Sequence, residues 1–108
     1  MNIEPEAMRA HAGEAARLLK ALANEKRLQL LCLLVGGEQN VGELNARLDL
    51  SQSALSQHLA VLRNDGLVQA RRDGQAVLYS LAPGPAHSVL ETLHGIYCGA
   101  GGGRRRRR

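Results

Sequence analysis

Apolar residues recur along most of this chain with the spacing of amphipathic helices. The pattern predicts helices over residues 5–23, 25–35, 41–48 and 86–97, and a further helix that follows Ser51 and ends before Gly66. The second helix has almost no polar face, so we expect it to be central and buried. A length of 108 residues suits one small domain with a single core.

The helix after Ser51 has two contrasting faces. Ser51 is a good N-cap, and Leu55, Leu59 and Leu62 follow at i, i+4 and i+7 to make an apolar face. The opposite face carries short or polar side chains that suit contact with base edges and phosphates: Gln52, Ser53, Ser56, Gln57, Ala60 and Arg63. The short link at 49–50 joins this helix to the preceding one, as in a helix-turn-helix.

A basic hairpin is predicted directly after this helix. Its turn is Asp73-Gly74, and Arg71 and Arg72 lie beside the turn. A polar-faced helix followed by a basic hairpin is typical of a winged helix-turn-helix. We therefore predict a mainly α fold with a small β-hairpin, in the order α1-α2-α3-α4-β-β-α5.

One domain is expected over residues 1–98, followed by a disordered Gly/Arg tail at 99–108. The first and last helices have wide apolar faces that a single domain does not need for its core. They predict a homodimer formed through these two helices. Such a dimer would place two DNA-reading helices roughly 34 Å apart, about one turn of DNA.

Composition and charge restrict the function only partly. The chain lacks Phe and Trp, so its core must consist of Leu, Val and Ala, which favours helices. The formal charge of +4 depends on the five arginines at 104–108, and nucleic-acid binding cannot be argued from it. No apolar stretch is long enough for a membrane span, and acidic residues stand where a secretion signal would be basic. These features predict a cytoplasmic protein without a membrane partner.

Three motifs carry a resemblance to a known family. They are L-A-N-E-K-R-L-Q-L-L at 22–31, V-G-E-L at 41–44 and S-Q-S-A-L-S-Q-H-L-A-V-L-R-N-D-G-L-V at 51–68. Together they resemble the ArsR family of winged-helix transcriptional repressors, over nearly the whole chain up to Cys98. The resemblance implies a homodimer that binds double-stranded operator DNA until an inducer releases it.

The positions of the cysteines indicate which branch of the family the chain resembles. Metal- and arsenic-sensing branches commonly carry a Cys-x-Cys cluster at the third helix, whereas V-G-E-L at 41–44 has no thiol. Cys32 and Cys98, with H-G-I-Y-C at 94–98, are similar to the sulfide- and persulfide-responsive branch. In that branch a disulfide or polysulfide bridge joins the two thiols and the protein leaves DNA. The resemblance thus implies redox sensing by Cys32 and Cys98, with reactive sulfur species or an oxidant as inducer.

The residues alone leave other interpretations open for these cysteines. Cys32 shares a stripe with Leu28, Leu31 and Val35, which favours a small core residue. Cys98 lies past the apolar run, directly before Gly99, where solvent can reach its sulfur. A zinc or nickel site is the alternative on the last helix, because its ligands would share one stripe: His87, Glu91 and His94. No other cofactor is expected.

The DNA contacts are predicted from the reading helix and the hairpin. They are Ser51, Gln52, Ser53, Ser56, Gln57, His58, Arg63, Arg71 and Arg72. A thiol oxidoreductase is a rival hypothesis, but the chain lacks Cys-x-x-Cys in a βαβ context, and no nucleophile with its base is visible. We therefore expect no enzymatic activity. A second rival, a winged-helix protein-interaction module, predicts no salt-dependent operator binding.

Overall fold

The computed structural model describes residues 3–99, so the predicted tail at 99–108 lies outside them except for its first residue. The predicted mainly α winged fold is confirmed, with five helices among the described residues. The elements in chain order are α1 (Pro5–Leu22), α2 (Glu25–Val35), β1 (Gln39–Asn40), α3 (Val41–Arg47), α4 (Gln52–Asn64), β2 (Val68–Asp73), β3 (Ala76–Leu81) and α5 (Ala86–Cys98).

The sheet has three strands instead of the two that were predicted. Strand β3 lies in the middle and pairs antiparallel with both β2 and β1. Strand β1 is only two polar residues long, too short to show an alternating pattern. It is held by its pairing with β3 and by the side chain of Gln39, whose Nε2 donates to the Leu33 carbonyl at 2.8 Å.

Side-chain caps fix the starts of the three central helices. Asn24 accepts a hydrogen bond from the Arg27 amide at the start of α2, and Ser51 accepts one from the Ala54 amide at the start of α4. At α3, Asn40 and Glu43 form a reciprocal capping box with both bonds at 2.8 Å. A cap of this kind is worth about 1 kcal/mol, so each helix begins at a defined residue.

The core is built from leucines of α2, α3 and α4. Six of them are almost fully buried: Leu30, Leu31, Leu44, Leu55, Leu59 and Leu62. The prediction that α2 is central is therefore correct for one of its faces. Its other face is exposed in the single chain, because Val35 remains 39% accessible and Cys32 is also exposed.

Apolar surface also remains on the first and last helices. Met8 and Leu19 of α1 are 51% and 58% exposed, and Ile96 and Tyr97 of α5 are 63% and 75% exposed. These are the surfaces that the predicted dimer would cover. Within residues 3–99, no helix has both the length and the hydropathy to cross a membrane.

Candidate nucleic-acid interface and thiol pair

The turn between α3 and α4 is held by two hydrogen bonds. The Asn45 side chain donates to the Leu50 carbonyl at 2.8 Å, and the Leu50 amide donates to the Leu48 carbonyl at 2.9 Å. Leu48 is buried in the core at the same point. The turn therefore sets the angle at which α4 stands on α3, as a helix-turn-helix requires.

The outer face of α4 is free for contact with a ligand. Its apolar face is buried beneath it, and the predicted DNA-contacting residues of this face are all exposed: Gln52, Ser53, Ser56, Gln57 and Arg63. Ser51 is also exposed, although its hydroxyl accepts the Ala54 amide as a cap and so retains only its donor for a phosphate. The structure thus presents one continuous polar face, as the sequence predicted.

His58 is placed differently from its neighbours on α4. It is half-buried, and burial lowers the pKa of its imidazole, with a further lowering from the nearby positive charge of Arg27. A neutral imidazole lacks the charge that attracts phosphate. His58 is therefore less suited to the predicted phosphate contact than its exposed neighbours on α4.

The stability of the fold should depend on the protonation of His58. Its folded-state pKa lies below the unfolded value of 6.5, so the stabilising contribution of the neutral ring is present above 6.5 and is lost as the pH falls through the folded value. We expect His58→Gln to lose less unfolding free energy than the wild type between about pH 7.5 and about pH 5.5. Urea unfolding at both pH values measures this, with the exposed His11 replaced by Gln as control. An equal loss in the two variants would show that protonation of His58 does not affect the stability of the fold.

The two wing arginines have different surroundings. Arg71 forms a bidentate ion pair with Glu38, with Nε to Oε2 at 2.6 Å and Nη2 to Oε1 at 2.8 Å. The pair lowers the pKa of the Glu38 carboxyl and raises the pKa of Arg71. Arg72 points to the opposite face of β2, and among residues 3–99 it makes no ion pair. Glu38 lies 33 residues before Arg71, so the sequence contained no local signal of this pair.

The two cysteines are free thiols on helices that pack together. Cys32 lies on α2 and Cys98 at the end of α5, and both are exposed in the single chain. The pKa of Cys32 is raised, first by partial burial and second by the negative charge that Cys98 can carry. The interpretation of Cys32 as a core residue is therefore wrong for the single chain.

A cleft between α2 and α5 gives solvent access to Cys32. Its volume is about 520 Å³, and it is lined by Cys32, Val35, Gly36, Leu90, Glu91, His94 and Gly95. At the end of α5, a Cβ on Gly99 would collide with the carbonyl oxygen of Gly95. A glycine after Cys98 therefore lets the chain turn closely past the last helical turn.

The alternative metal site on α5 is not assembled. His87 Nδ1 lies 3.6 Å from Glu91 Oε1, so these two side chains face each other. Glu91 and His94 both line the cleft with Cys32, whereas His87 is not part of its lining. Within residues 3–99, no three His, Cys, Asp or Glu side chains are arranged to hold a metal ion.

Comparison with known proteins supports the winged-helix assignment. Residues 24–70 match the family described as bacterial regulatory protein, arsR family. The transcriptional activator HlyU of Vibrio cholerae serotype O1 is 52% identical over 100 residues, which cover 93% of this chain and 91% of HlyU. A structure of reduced HlyU from Vibrio cholerae superposes with a TM-score of 0.80 at 53% identity, covering 86% of this chain and 98% of that one.

Two further solved structures share the fold. The transcriptional repressor BigR of Xylella fastidiosa has a TM-score of 0.84 at 41% identity, covering 89% of this chain and 98% of BigR. A homodimeric winged helix-turn-helix DNA-binding domain of Mycobacterium bovis has a TM-score of 0.71 at 32% identity, with 87% of both chains covered. HlyU and BigR are regulators of transcription and not enzymes.

Proposed function

The chain belongs to the arsR family of bacterial regulatory proteins, and from that premise we propose that it is a homodimeric repressor with a dithiol switch. In this proposal it binds operator DNA while Cys32 and Cys98 are reduced, and it releases the operator when they are covalently linked. The observation that carries the switch is the presence of two exposed thiols on the packed helices α2 and α5.

Operator recognition is assigned to the exposed face of α4. In the major groove, the amides of Gln52 and Gln57 suit bidentate contact with adenine, and the hydroxyls of Ser53 and Ser56 suit bases or phosphates. The wing adds Arg72, whose guanidinium has no acidic partner within residues 3–99 and is therefore free for a phosphate.

A dimer would bring two copies of α4 to successive major grooves. The exposed apolar side chains of α1 and α5 provide a surface for it, and the relative from Mycobacterium bovis is homodimeric. Because Cys98 ends α5, a bond at this position would act on the helix that we assign to the dimer interface. Operator affinity depends on the spacing of the two reading helices, so a small shift of α5 is enough to change it.

The bridging chemistry follows from thiol exchange. A persulfide RSSH transfers its outer sulfur to the Cys98 thiol, giving Cys98–S–SH and RSH. The Cys32 thiol then attacks the sulfur bonded to Cβ of Cys98, giving a disulfide and H₂S. If a second persulfide first transfers its outer sulfur to the Cys32 thiol, the resulting Cys32 persulfide attacks the same sulfur of Cys98 and gives a trisulfide, with H₂S again released. A disulfide needs Cα atoms about 4.4–6.8 Å apart, and inserted sulfur closes a longer gap.

The order of these steps is itself a prediction. The raised pKa of Cys32 leaves less of it as the reactive thiolate at neutral pH, so we expect persulfide to react first at Cys98. Cys32→Ser should therefore accumulate the Cys98 persulfide at the wild-type rate of first reaction, whereas Cys98→Ser should react several-fold more slowly. Timed alkylation and mass spectrometry measure both rates. Equal rates in the two variants would show that the raised pKa does not set the order.

Two of the relatives differ in the direction of regulation. One of them, HlyU, has been solved in a form described as reduced, and its name is that of an activator. BigR is a repressor. Whether a bound regulator blocks or assists transcription depends on where its operator lies in the promoter. We propose repression, in which the bound dimer excludes polymerase.

Operator binding should be tested first with the reduced protein. Repeated selection from a random DNA library should enrich an inverted repeat whose half-sites are about one DNA turn apart. The selected site should bind at least about a thousandfold more tightly than random DNA at physiological salt. Failure to enrich any sequence, with no salt-dependent binding, would instead favour a protein-interaction module.

The wing arginine Arg72 should contribute affinity that does not depend on sequence. If it contacts a phosphate, Arg72→Ala weakens operator and random DNA alike and reduces the slope of log affinity against log salt by about one unit. Anisotropy titrations at several salt concentrations measure the slope. Arg9→Ala, at the remote end of α1, is the charge-matched control. An unchanged slope and affinity for Arg72→Ala would remove the wing from the interface.

A further inference from the structure

Three charged side chains share the outer face of the wing. Arg71 and Asp73 lie on the same side of β2, and Glu38, just before β1, reaches Arg71 from across β3. Arg71 is held by Glu38 through two hydrogen bonds, and the charge of Asp73 stabilises it further. This face therefore carries one positive and two negative charges.

The inner face of β2 differs from the outer face because its charge is positive. Successive side chains of a strand alternate, so Arg72 shares its side with Val68, which packs on the core beneath α4. The hairpin thus offers a free guanidinium on the side of the reading helix and a net negative charge on the other side. DNA, as a polyanion, would be attracted to one face and repelled by the other.

We propose that Glu38 is a positioning residue that keeps Arg71 out of the DNA interface, so that the wing meets phosphates through Arg72 alone. The inference rests on the proposed DNA binding and revises, for Arg71, the contact predicted from the sequence. An exposed ion pair contributes little to stability, so its main consequence is the position of the charge and not the stability of the fold.

Moving Arg71 to a phosphate would also expose Glu38 without its partner, close to the DNA. The guanidinium would exchange one anionic partner for another, and the released carboxylate would repel the phosphates. Binding would therefore gain little from Arg71 while Glu38 is present. Removal of the carboxylate removes this restraint and adds one net positive charge to the wing.

The test is a cycle of four proteins titrated with random and operator DNA over a range of salt. Glu38→Gln should steepen the salt slope by up to about one unit and raise the affinity for random DNA roughly threefold to tenfold at low salt. Arg71→Gln alone should leave the slope unchanged. The double variant should return to the wild-type slope, because the effect of Glu38 acts through Arg71.

A matched control separates this local effect from a change in overall charge. Glu6 also pairs with an arginine, Arg9, at 3.3 Å on α1, far along the chain from the wing. Glu6→Gln should leave the slope unchanged. If Glu38→Gln instead weakens binding with an unchanged slope, Glu38 only stabilises the structure of the wing, and the inference is wrong. It is also wrong if Arg71→Gln lowers the slope by one unit. Absence of any DNA binding by the wild type would overturn the proposed function as well.

Discussion

Gln57→Ala is expected to weaken binding to the preferred operator by about 1–3 kcal/mol, roughly 5- to 150-fold. The side chain lies on the exposed face of α4, above a buried leucine face and a capped N-terminus. Because the amide offers a donor and an acceptor side by side, it discriminates adenine from the other bases in the major groove. On random DNA the loss should be much smaller, since no base matches the amide there.

The comparison between the two DNAs decides what Gln57 contacts. Gln29, which is exposed on α2, replaced by Ala is the matched control and should bind operator like the wild type. Equal losses on operator and random DNA would make Gln57 a backbone contact. The same affinity as the wild type on both DNAs would place the reading face elsewhere on the protein.

The second large effect concerns the thiols. Coupling between a switch and a binding site is typically worth about 1–3 kcal/mol, so bridging should reduce operator affinity of the wild type by about 5- to 150-fold. Cys32→Ser and Cys98→Ser should bind operator as the reduced wild type does and keep that affinity after persulfide treatment. Each lacks one end of the bridge, so each can be modified but not cross-linked.

The double variant is the control for sulfur chemistry elsewhere. Cys32→Ser/Cys98→Ser has no cysteine left in the chain, so any release it shows arises from another cause. Operator titrations before and after treatment, with intact mass measured on the same samples, follow affinity and modification together. If either single variant still releases the operator, the two-thiol mechanism is wrong.

Much of the fold was accessible from the sequence because its signals are local. The cap at Ser51 and the leucines spaced along α4 act within a few residues and lie where they were predicted. The hairpin turn was predicted at Asp73-Gly74 and lies one residue later, at Gly74 and Gln75, because Asp73 still pairs with Ala76 as the last residue of β2. Strand β1 was missed because Gln39 and Asn40 show no strand pattern and are ordered by their pairing with β3.

The site was predicted less completely, since its distinctive contacts join distant parts of the chain. Spacing along α2 put Cys32 among core residues, yet only tertiary packing decides which side of a nearly apolar helix is covered. The pairing of Cys32 with Cys98 came from the family resemblance and not from residue patterns. No sequence pattern predicted the ion pair of Glu38 with Arg71.

The most direct test of the dithiol switch follows one preparation of the wild-type protein through three states. Operator affinity is measured for the reduced protein, for the protein bridged by persulfide and for the same sample reduced again, with dimer mass measured by light scattering. We predict tight binding, then a loss of about 5- to 150-fold with one intramolecular link per chain and an intact dimer, then full recovery. Unchanged operator affinity in a fully bridged dimer would contradict the dithiol switch.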